Sequence, residues 1–221
     1  MTSGTVLNLT FHGVGDPPRG IDEAERRVWV SREAFYDILD RIGERDDVRL
    51  TFDDGNSSDV TTVLPALAER GLTASFFPVV GRIGEPGFVG AADVRLLINT
   101  GMKVGSHGMS HRAWRRLSAS DLWIELRGAR ATLEAELGRP VVAAACPFGA
   151  YDRRVLRGLR AAGFLTVFTS DGGRVAPSGW LQARNTICGA DARDSVERLL
   201  RLPGGAGIHR RRVELLVKRW R

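Results

Sequence analysis

The chain has 221 residues, of which 43% are hydrophobic and 26% charged, and its formal net charge is +6. This composition is typical of a globular protein that buries its own core, and it argues against a disordered, fibrous or disulfide-stapled chain. Its two cysteines form no Cys-x-x-Cys pair, and no apolar run approaches the roughly 18 residues of a membrane span. Because the N-terminus also lacks the pattern of a secretion signal, we predict a cytoplasmic protein.

The positive charge is concentrated at the C-terminus. Residues 210–221 contain six basic residues and one acidic residue, whereas the rest of the chain is nearly neutral. We therefore predict a catalytic domain over residues 1–209 followed by a basic helix or tail over residues 210–221. A nucleic-acid binder is not expected, because such proteins carry a basic stripe across the fold. Two readings of the tail stay open: a solvated helix end, or a peripheral contact with anionic lipid or a lipid-linked carrier.

Short strand-like runs alternate with longer helical stretches along the chain. The predicted strands cover residues 5–11, 48–52, 74–80, 102–106, 141–146, 164–169 and 181–187. The predicted helices cover 32–42 with Ser31 as N-cap, 59–70, 91–100, 119–137, 153–162, 194–200 with Asp194 as cap, and 213–220. This alternation predicts an α/β fold with a mainly parallel sheet. About seven such units in a single domain favour a distorted (β/α) barrel over the alternative, an open doubly wound sheet.

The first motif with chemical character is Thr51-Phe52-Asp53-Asp54-Gly55, which places two carboxylates at the end of a predicted strand. Adjacent residues of an extended segment point in opposite directions, so the two carboxylates are expected to have different tasks. One can bind a metal ion while the other acts beside it as a base. The alternative is a polar turn, because Asp and Gly are common turn residues.

The second motif contains His107 and His111, two of only four histidines in the chain. If this segment is helical, residues four apart share a face with Cβ atoms about 5–6 Å apart, which suits two imidazoles on one divalent ion. The alternative is a pair of unrelated surface histidines.

Both motifs follow predicted strands, as do residues 147–149 and Asp171. In parallel α/β barrels the active site forms at the carboxyl ends of the strands. One Asp and two His leave positions open on an ion, as in a catalytic rather than a structural site. A bound ion lowers the pKa of water towards about 7, so hydrolysis is the predicted reaction.

These motifs and their spacing resemble the polysaccharide deacetylase family, also called the NodB homology family or carbohydrate esterase family 4. The resemblance rests on residues 51–55, 107–111 and 147–149 and extends from about Leu7 to His209. It implies an N-deacetylase that acts on an N-acylated amino sugar, either a polymer or a lipid-linked intermediate. It also implies a divalent metal cofactor, most often Zn²⁺, with Co²⁺ or Ni²⁺ as alternatives.

The resemblance assigns roles to individual residues. Asp53 is the expected general base, and the expected metal ligands are Asp54, His107 and His111. The backbone amide of Phe148 is expected to stabilise the oxyanion. His209 is expected to protonate the departing amine, and Asp171 to raise the pKa of that histidine.

Several positions depart from the family pattern. The arginine that normally pairs with the catalytic base is replaced by Ala145, and we hypothesise that Arg184 takes its place. The leucine that the family has two residues before its late histidine is replaced here by Gly207. His209 is therefore either the counterpart of that histidine or a histidine that only begins the basic tail. His12, at the end of the first strand, is an alternative acid or a pocket residue, and its other reading is a satisfied polar residue at a strand end.

Three tryptophans are candidates for stacking against a sugar ring, namely Trp114, Trp123 and Trp180. Trp123 is expected in the core because it lies on a helix, and Trp180 is the preferred candidate. Two alternatives to an N-deacetylase remain, namely an N-deformylase of a lipid-linked amino sugar and a catalytically impaired sugar-binding relative.

Overall fold

The computed structural model of the chain describes residues 4–18, 20–21, 23–43 and 45–201. The strands in these residues are β1 (Val6–Phe11), β2 (Gly13–Val14), β3 (Trp29–Val30), β4 (Val48–Asp54), β5 (Ala74–Pro78), β6 (Lys103–Val104), β7 (Ala143–Ala145), β8 (Thr166–Thr169), β9 (Arg174–Val175), β10 (Leu181–Ala183) and β11 (Asn185–Thr186). The α-helices are α1 (Glu23–Arg27), α2 (Arg32–Ile42), α3 (Leu64–Glu69), α4 (Ala91–Asn99), α5 (Ala119–Trp123), α6 (Ala129–Leu137), α7 (Arg153–Ala161) and α8 (Ala192–Leu200).

Seven parallel strand positions, called staves below, close into a distorted barrel. One run of strands is ordered β11-β1-β4-β5-β6 and the other β10-β8-β7, with every one of these pairings parallel. Ser106 joins the two runs on one side through a bridge to Ala144. On the other side Arg184 links β10 directly to β11, so the two short strands form one stave. The predicted (β/α) barrel is confirmed, and its distortion lies at the narrow Ser106 junction.

Helices cover the outside of the barrel and bury aromatic side chains against it. Helix α2 begins after Ser31, whose side chain accepts a hydrogen bond from the amide of Ala34, as a good N-cap does. Its Phe35 ring lies 5.4 Å from that of Phe11 and 5.9 Å from that of Phe52. This contact anchors the helix to β1 and β4, the two central staves that precede the site.

Three predicted helices differ from the structure, and the one predicted over residues 59–70 begins with a π-helical turn, Asp59–Val63, before α3. The single helix predicted over residues 119–137 is interrupted by a π-helical turn, Ile124–Gly128, between α5 and α6. Helix α8 begins at Ala192, not after Asp194, and Asp194 lies in its first turn. The predicted helix 213–220, the basic tail 210–221 and His209 lie outside the described residues. No helix in the described part of the chain is both long and apolar enough to cross a membrane.

Alternation along each stave separates two environments, because successive side chains point to opposite faces of a strand. On β4 and β5, Phe52 and Phe76 face outwards into the layer beneath the helices. Phe77 faces inwards and packs with Ala145 and Phe168 in a separate small cluster. The same alternation places Asp53 inside the barrel at its carboxyl end.

Candidate active site and metal centre

The Asp53–Asp54 pair lies where β4 ends, and the backbone turns sharply there. Asp54 has a φ of 74°, in the left-handed region that non-glycine residues rarely occupy. Gly55 also has a φ of 74°, and a Cβ at this position would lie 2.8 Å from the Cβ of Pro78. The turn rotates Asp54 away from the direction of Asp53, so the two carboxylates meet different partners. Strain of this kind is typical of functional sites.

Asp54 meets both histidines of the second motif. Its Oδ1 lies 3.5 Å from Nε2 of His107 and 3.2 Å from Nε2 of His111. The helical interpretation of residues 107–111 is wrong, because the segment is an irregular loop in which Gly108 has a φ of 84° and His111 a φ of 54°. The two imidazoles nevertheless converge, since the loop folds back over the end of β6.

The donor set fits a divalent metal ion. Nδ1 of His107 lies 2.9 Å from the carbonyl oxygen of Ala145, which can only accept, so this nitrogen carries the proton and Nε2 presents a lone pair. Oδ1 of Asp54 is buried without a hydrogen-bond partner among the described residues. One ligand atom each from Asp54, His107 and His111 lies within 4.8 Å of the other two. Burial lowers the pKa of His111 to about 4, more than the Asp54 charge raises it, so this ring is neutral and able to coordinate.

Glu125 organises the loop that carries the two histidines. It is 1% exposed, and its carboxylate accepts hydrogen bonds from the amides of Met109 and Ser110 and from Nε1 of Trp114, at 2.9, 3.1 and 3.3 Å. The π-helical turn that interrupts the predicted helix contains this residue, and such turns are frequent at functional sites. The sequence analysis missed Glu125, although a carboxylate beside the apolar face of Leu122 and Leu126 was a usable signal.

Asp53 forms a buried, two-pronged ion pair with Arg184. The Nη1–Oδ1 and Nη2–Oδ2 distances are both 2.6 Å, and the residues are 2% and 1% exposed. The hypothesised contact of Arg184 with Asp53 is therefore present. Burial alone would raise the pKa of Asp53, but the positive charge of Arg184 and its hydrogen bonds to the carboxylate lower it to about 2. Asp53 is ionised at neutral pH, 3.8 Å from Nε2 of His107.

A third carboxyl group lies near this pair. Asp59 is 1% exposed, and neither of its side-chain oxygens has a hydrogen-bond partner among the described residues. Burial, reinforced by the negative charges of Asp54 and Asp53, raises its pKa well above the ordinary value. Burial and the neighbouring carboxylates therefore both disfavour a further negative charge at Asp59.

Phe148 and Asp171 lie on the loops after β7 and β8. Phe148 has a φ of 56°, and its ring, 68% exposed, lies 4.6 Å from the ring of His111. The hydroxyl of Tyr151 donates to Oδ2 of Asp171 at 2.6 Å, and Oγ1 of Thr169 donates to the same oxygen at 2.9 Å. Both predicted residues thus occupy the carboxyl-terminal edge of the barrel.

His12 also lies at this edge. It follows β1, is partly buried, and its Nδ1 has no hydrogen-bond partner among the described residues.

The tryptophan expectations need correction. Trp180 precedes β10, so it lies at the opposite, amino-terminal edge of the barrel, where its Nε1 donates to the carbonyl of Phe164 and Arg160 covers its ring. The sequence already carried the signal, since a residue before a parallel strand cannot lie at its carboxyl end. Trp114 is fully buried against Glu125, and Trp123 is 59% exposed instead of lying in the core.

Known structures share this architecture. The Streptococcus pyogenes deacetylase PplD, solved in complex with acetate, has a TM-score of 0.80 at 17% identity, covering 91% of this chain and 100% of that one. BC0361, a polysaccharide deacetylase from Bacillus cereus, has a TM-score of 0.75 at 18% identity and covers 87% of this chain and 68% of that one. IcaB from Ammonifex degensii has a TM-score of 0.73 at 21% identity, with 88% and 96% covered. These likenesses establish the (β/α) barrel fold.

The sequence itself matches a family model. The model described as polysaccharide deacetylase matches residues 40–167, more than half of the chain. The matched region contains Asp53, Asp54, His107, His111 and Phe148. No curated protein sequence matches the chain. The chain belongs to the polysaccharide deacetylase family.

Proposed function

We propose that this protein is a metal-dependent hydrolase that removes an N-acetyl group from an amino sugar. The observation that carries the proposal is the convergence of Asp54, His107 and His111 beside a second carboxylate, Asp53, which Arg184 keeps ionised. Such a site separates the task of holding a metal from the task of accepting a proton. Membership of the deacetylase family supports the amide as the bond that is cleaved.

Asp54, His107 and His111 are the residues proposed to hold the ion, most often zinc. When bound there, the ion supplies Lewis-acid activation of water and of the substrate carbonyl. Nitrogen and carboxylate donors with room for further ligands suit zinc, and also cobalt or nickel. The hydrogen bond from Nδ1 of His107 to Ala145 fixes the ring in the orientation that coordination requires.

Asp53 is the proposed general base. Its carboxylate takes a proton from the attacking water while a new C–O bond forms at the amide carbon. A base held ionised by a bidentate arginine is available over a wide pH range, and its direction is fixed by two short hydrogen bonds. This pair also argues against a catalytically impaired relative, because Arg184 supplies the cation that Ala145 does not.

Cleavage of the C–N bond requires a proton on the departing nitrogen, so that the products are acetate and a free amine. His209 and His12 are the proposed sources of that proton. His12 follows β1 at the same edge of the barrel as Asp53, and its Nδ1 is buried without a hydrogen-bond partner among the described residues. The backbone amide of Phe148 is the proposed oxyanion donor, and Asp171 is proposed to support the acid.

A cavity of about 190 Å³ opens beside Asp54 and is a suitable place for the sugar ring. Its lining includes the aromatic side chains of Trp29 and Phe88, the amide of Asn56 and the guanidinium of Arg82. Sugars bind through stacking on aromatic faces together with a few directed polar contacts. We propose Trp29 as the stacking residue in place of Trp180, because the guanidinium of Arg82 already lies over the ring of Phe88, 5.0 Å from its centroid.

The test is acetate release from N-acetylglucosamine oligomers by protein stripped of metal and resupplied with zinc or cobalt. Asp53→Asn is compared with Asp46→Asn, which changes an exposed carboxylate in the same way. We expect metal-dependent release that falls by about 10²–10⁴-fold in Asp53→Asn and is unchanged in Asp46→Asn. Formate release from an N-formyl sugar with no acetate release would replace the acetyl assignment by deformylation. No release of either acid from the zinc-loaded protein would refute the proposal for these substrates.

A further inference from the structure

A second, larger cavity opens at the other end of the barrel. Its volume is about 520 Å³, within the range of small-molecule sites, which is about 300–1,000 Å³. Its lining residues come from the beginnings of the staves, among them Ser75, Ala143 and Thr166. Parallel α/β barrels normally fill this space with bulky side chains in layers, so an open cavity here is a departure that needs a cause.

The cause is the small size of the inward-facing residues. Ser75, Gly105 and Ala143 occupy inward positions of three neighbouring staves, and none of them has a side chain that reaches the barrel axis. A Cβ on Gly105 would lie 2.4 Å from the ring of Phe77 and 2.7 Å from the carbonyl oxygen of Ala143. The rings of Phe77 and Phe168, with centroids 5.1 Å apart, close the end of the cavity that faces the active site.

The rings of Phe77 and Phe168 separate the cavity from the active site. The guanidinium of Arg184 lies over the same two rings, 5.6 Å from that of Phe77 and 5.7 Å from that of Phe168. Above that layer Arg184 holds Asp53. The cavity is therefore distinct from the metal centre and from the pocket beside Asp54.

The rim of the cavity is positively charged. Arg49, Lys103 and Arg139 are all exposed and line the opening, and the lining contributed by the described residues contains no Asp or Glu. Arg49 donates to the carbonyl oxygen of Pro177, which fixes its guanidinium at the rim. Among the described residues, Lys103 and Arg139 form no ion pair.

The walls next to this rim are apolar. Ile98 from α4 and Leu137 from α6 contribute partly buried aliphatic surface below the charged groups. Gln182 offers no free amide proton, because its Nε2 already donates to the carbonyl oxygens of Ala176 and Gly179. The charged groups are therefore confined to the rim, and the interior combines the apolar surface of Phe77 and Phe168 with the hydroxyl groups of Ser75 and Thr166.

We propose that this amino-terminal mouth of the barrel is a second binding site, for a small organic anion whose charged head meets Arg49, Lys103 and Arg139 and whose apolar body reaches towards Phe77 and Phe168. The site is separate from the deacetylation centre, and its ligand is not the sugar substrate. A carboxylate or phosphate head on a chain of several carbons matches both the positive charge of the rim and the apolar surface inside the cavity.

The experiment is calorimetric titration of the zinc-supplemented protein with octanoate, repeated with acetate alone to measure any carboxylate binding at the metal centre. Hexanoate and 1-octanol are the comparison probes. We expect one-to-one binding of octanoate, roughly fifteen-fold weaker binding of hexanoate because each of the two missing methylenes contributes about four-fold, and still weaker binding of 1-octanol.

The matched variants are Lys103→Gln combined with Arg139→Gln, and Arg157→Gln as an exposed control on α7. The double variant is expected to weaken octanoate binding by up to about five-fold for each charge removed, and the control to leave it unchanged. Amide resonances of Ser75, Gly105 and Ala143 are expected to shift with octanoate. The proposal is overturned if octanoate shows no saturable binding, if 1-octanol binds as tightly, or if the double variant binds octanoate like wild type.

Discussion

Glu125 lies on the π-helical turn Ile124–Gly128 and holds the loop that carries His107 and His111 in place. Its carboxylate accepts hydrogen bonds from the amides of Met109 and Ser110, which lie between His107 and His111 in the chain. It also accepts one from Trp114, and Gly108 packs so closely that a Cβ there would lie 2.4 Å from the carboxylate. Substitution of Glu125 therefore tests whether the loop is shaped by this one buried side chain.

The structure sets the size of the effect. Glu125→Ala removes the acceptor from one buried donor, Nε1 of Trp114, and from two part-buried amides, those of Met109 and Ser110. A buried donor left unsatisfied costs about 1–3 kcal/mol, whereas water can reach the part-buried amides, so we expect a loss of about 2–4 kcal/mol in the free energy of unfolding. Glu125→Gln keeps the shape but turns an amide donor towards N–H groups, so a smaller loss of about 1–3 kcal/mol is expected. Zinc affinity should fall by roughly 10–100-fold, as for other groups that orient metal ligands.

The assay is chemical denaturation of the metal-free protein, followed by competitive zinc titration of each variant that folds. Glu69→Gln, at a residue whose side chain is 75% exposed, is the matched control and should change neither quantity. Unfolding free energies of Glu125→Ala and wild type within about 1 kcal/mol, together with equal zinc affinities, would refute the reasoning.

Three further predictions follow from individual contacts. Arg184→Met removes the cation that offsets the burial of Asp53, so the pKa of Asp53 should rise and the acid limb of the pH profile of activity should move to higher pH. In wild type, the contribution of ionised Asp53 to the free energy of unfolding is present above its ordinary pKa of 3.8. That contribution is lost as the pH falls through about 2. Tyr151→Phe leaves Asp171 without its 2.6 Å donor and should cost about 1–3 kcal/mol in thermal or chemical unfolding, and an unchanged stability would contradict that contact. Gly55→Ala adds a Cβ 2.8 Å from the neighbouring proline at a φ of 74°, and a loss of about 2–4 kcal/mol is expected in the same measurement, whereas a neutral result would show that the turn relaxes freely.

Much of the fold was predictable because it depends on short-range signals. Ser31 caps α2 as expected, and the strand that ends in Asp53 and Asp54 follows from its apolar alternation. Seven alternating units indicated a barrel, since parallel staves need helical connections of that length.

The parts that failed depend on contacts distant in the sequence. Residues 107–111 form a loop because Gly108 adopts a positive φ and Glu125, from another element, supplies acceptors to their amides. The π-helical turn at Ile124–Gly128 leaves no mark in a 3.6-residue periodicity. The burial of Asp59 without a hydrogen-bond partner among the described residues likewise depends on tertiary packing, so its raised pKa could not be predicted from the sequence.

The most direct test of the account separates the metal ligand from the base. Zinc stoichiometry and acetate release are measured on the same preparations of wild type, Asp54→Asn and Asp53→Asn. The account predicts that wild type binds one zinc and releases acetate, that Asp54→Asn binds zinc far more weakly, and that Asp53→Asn retains the zinc while releasing almost no acetate. Acetate release by Asp53→Asn at the wild-type rate, or undiminished zinc affinity in Asp54→Asn, would contradict it.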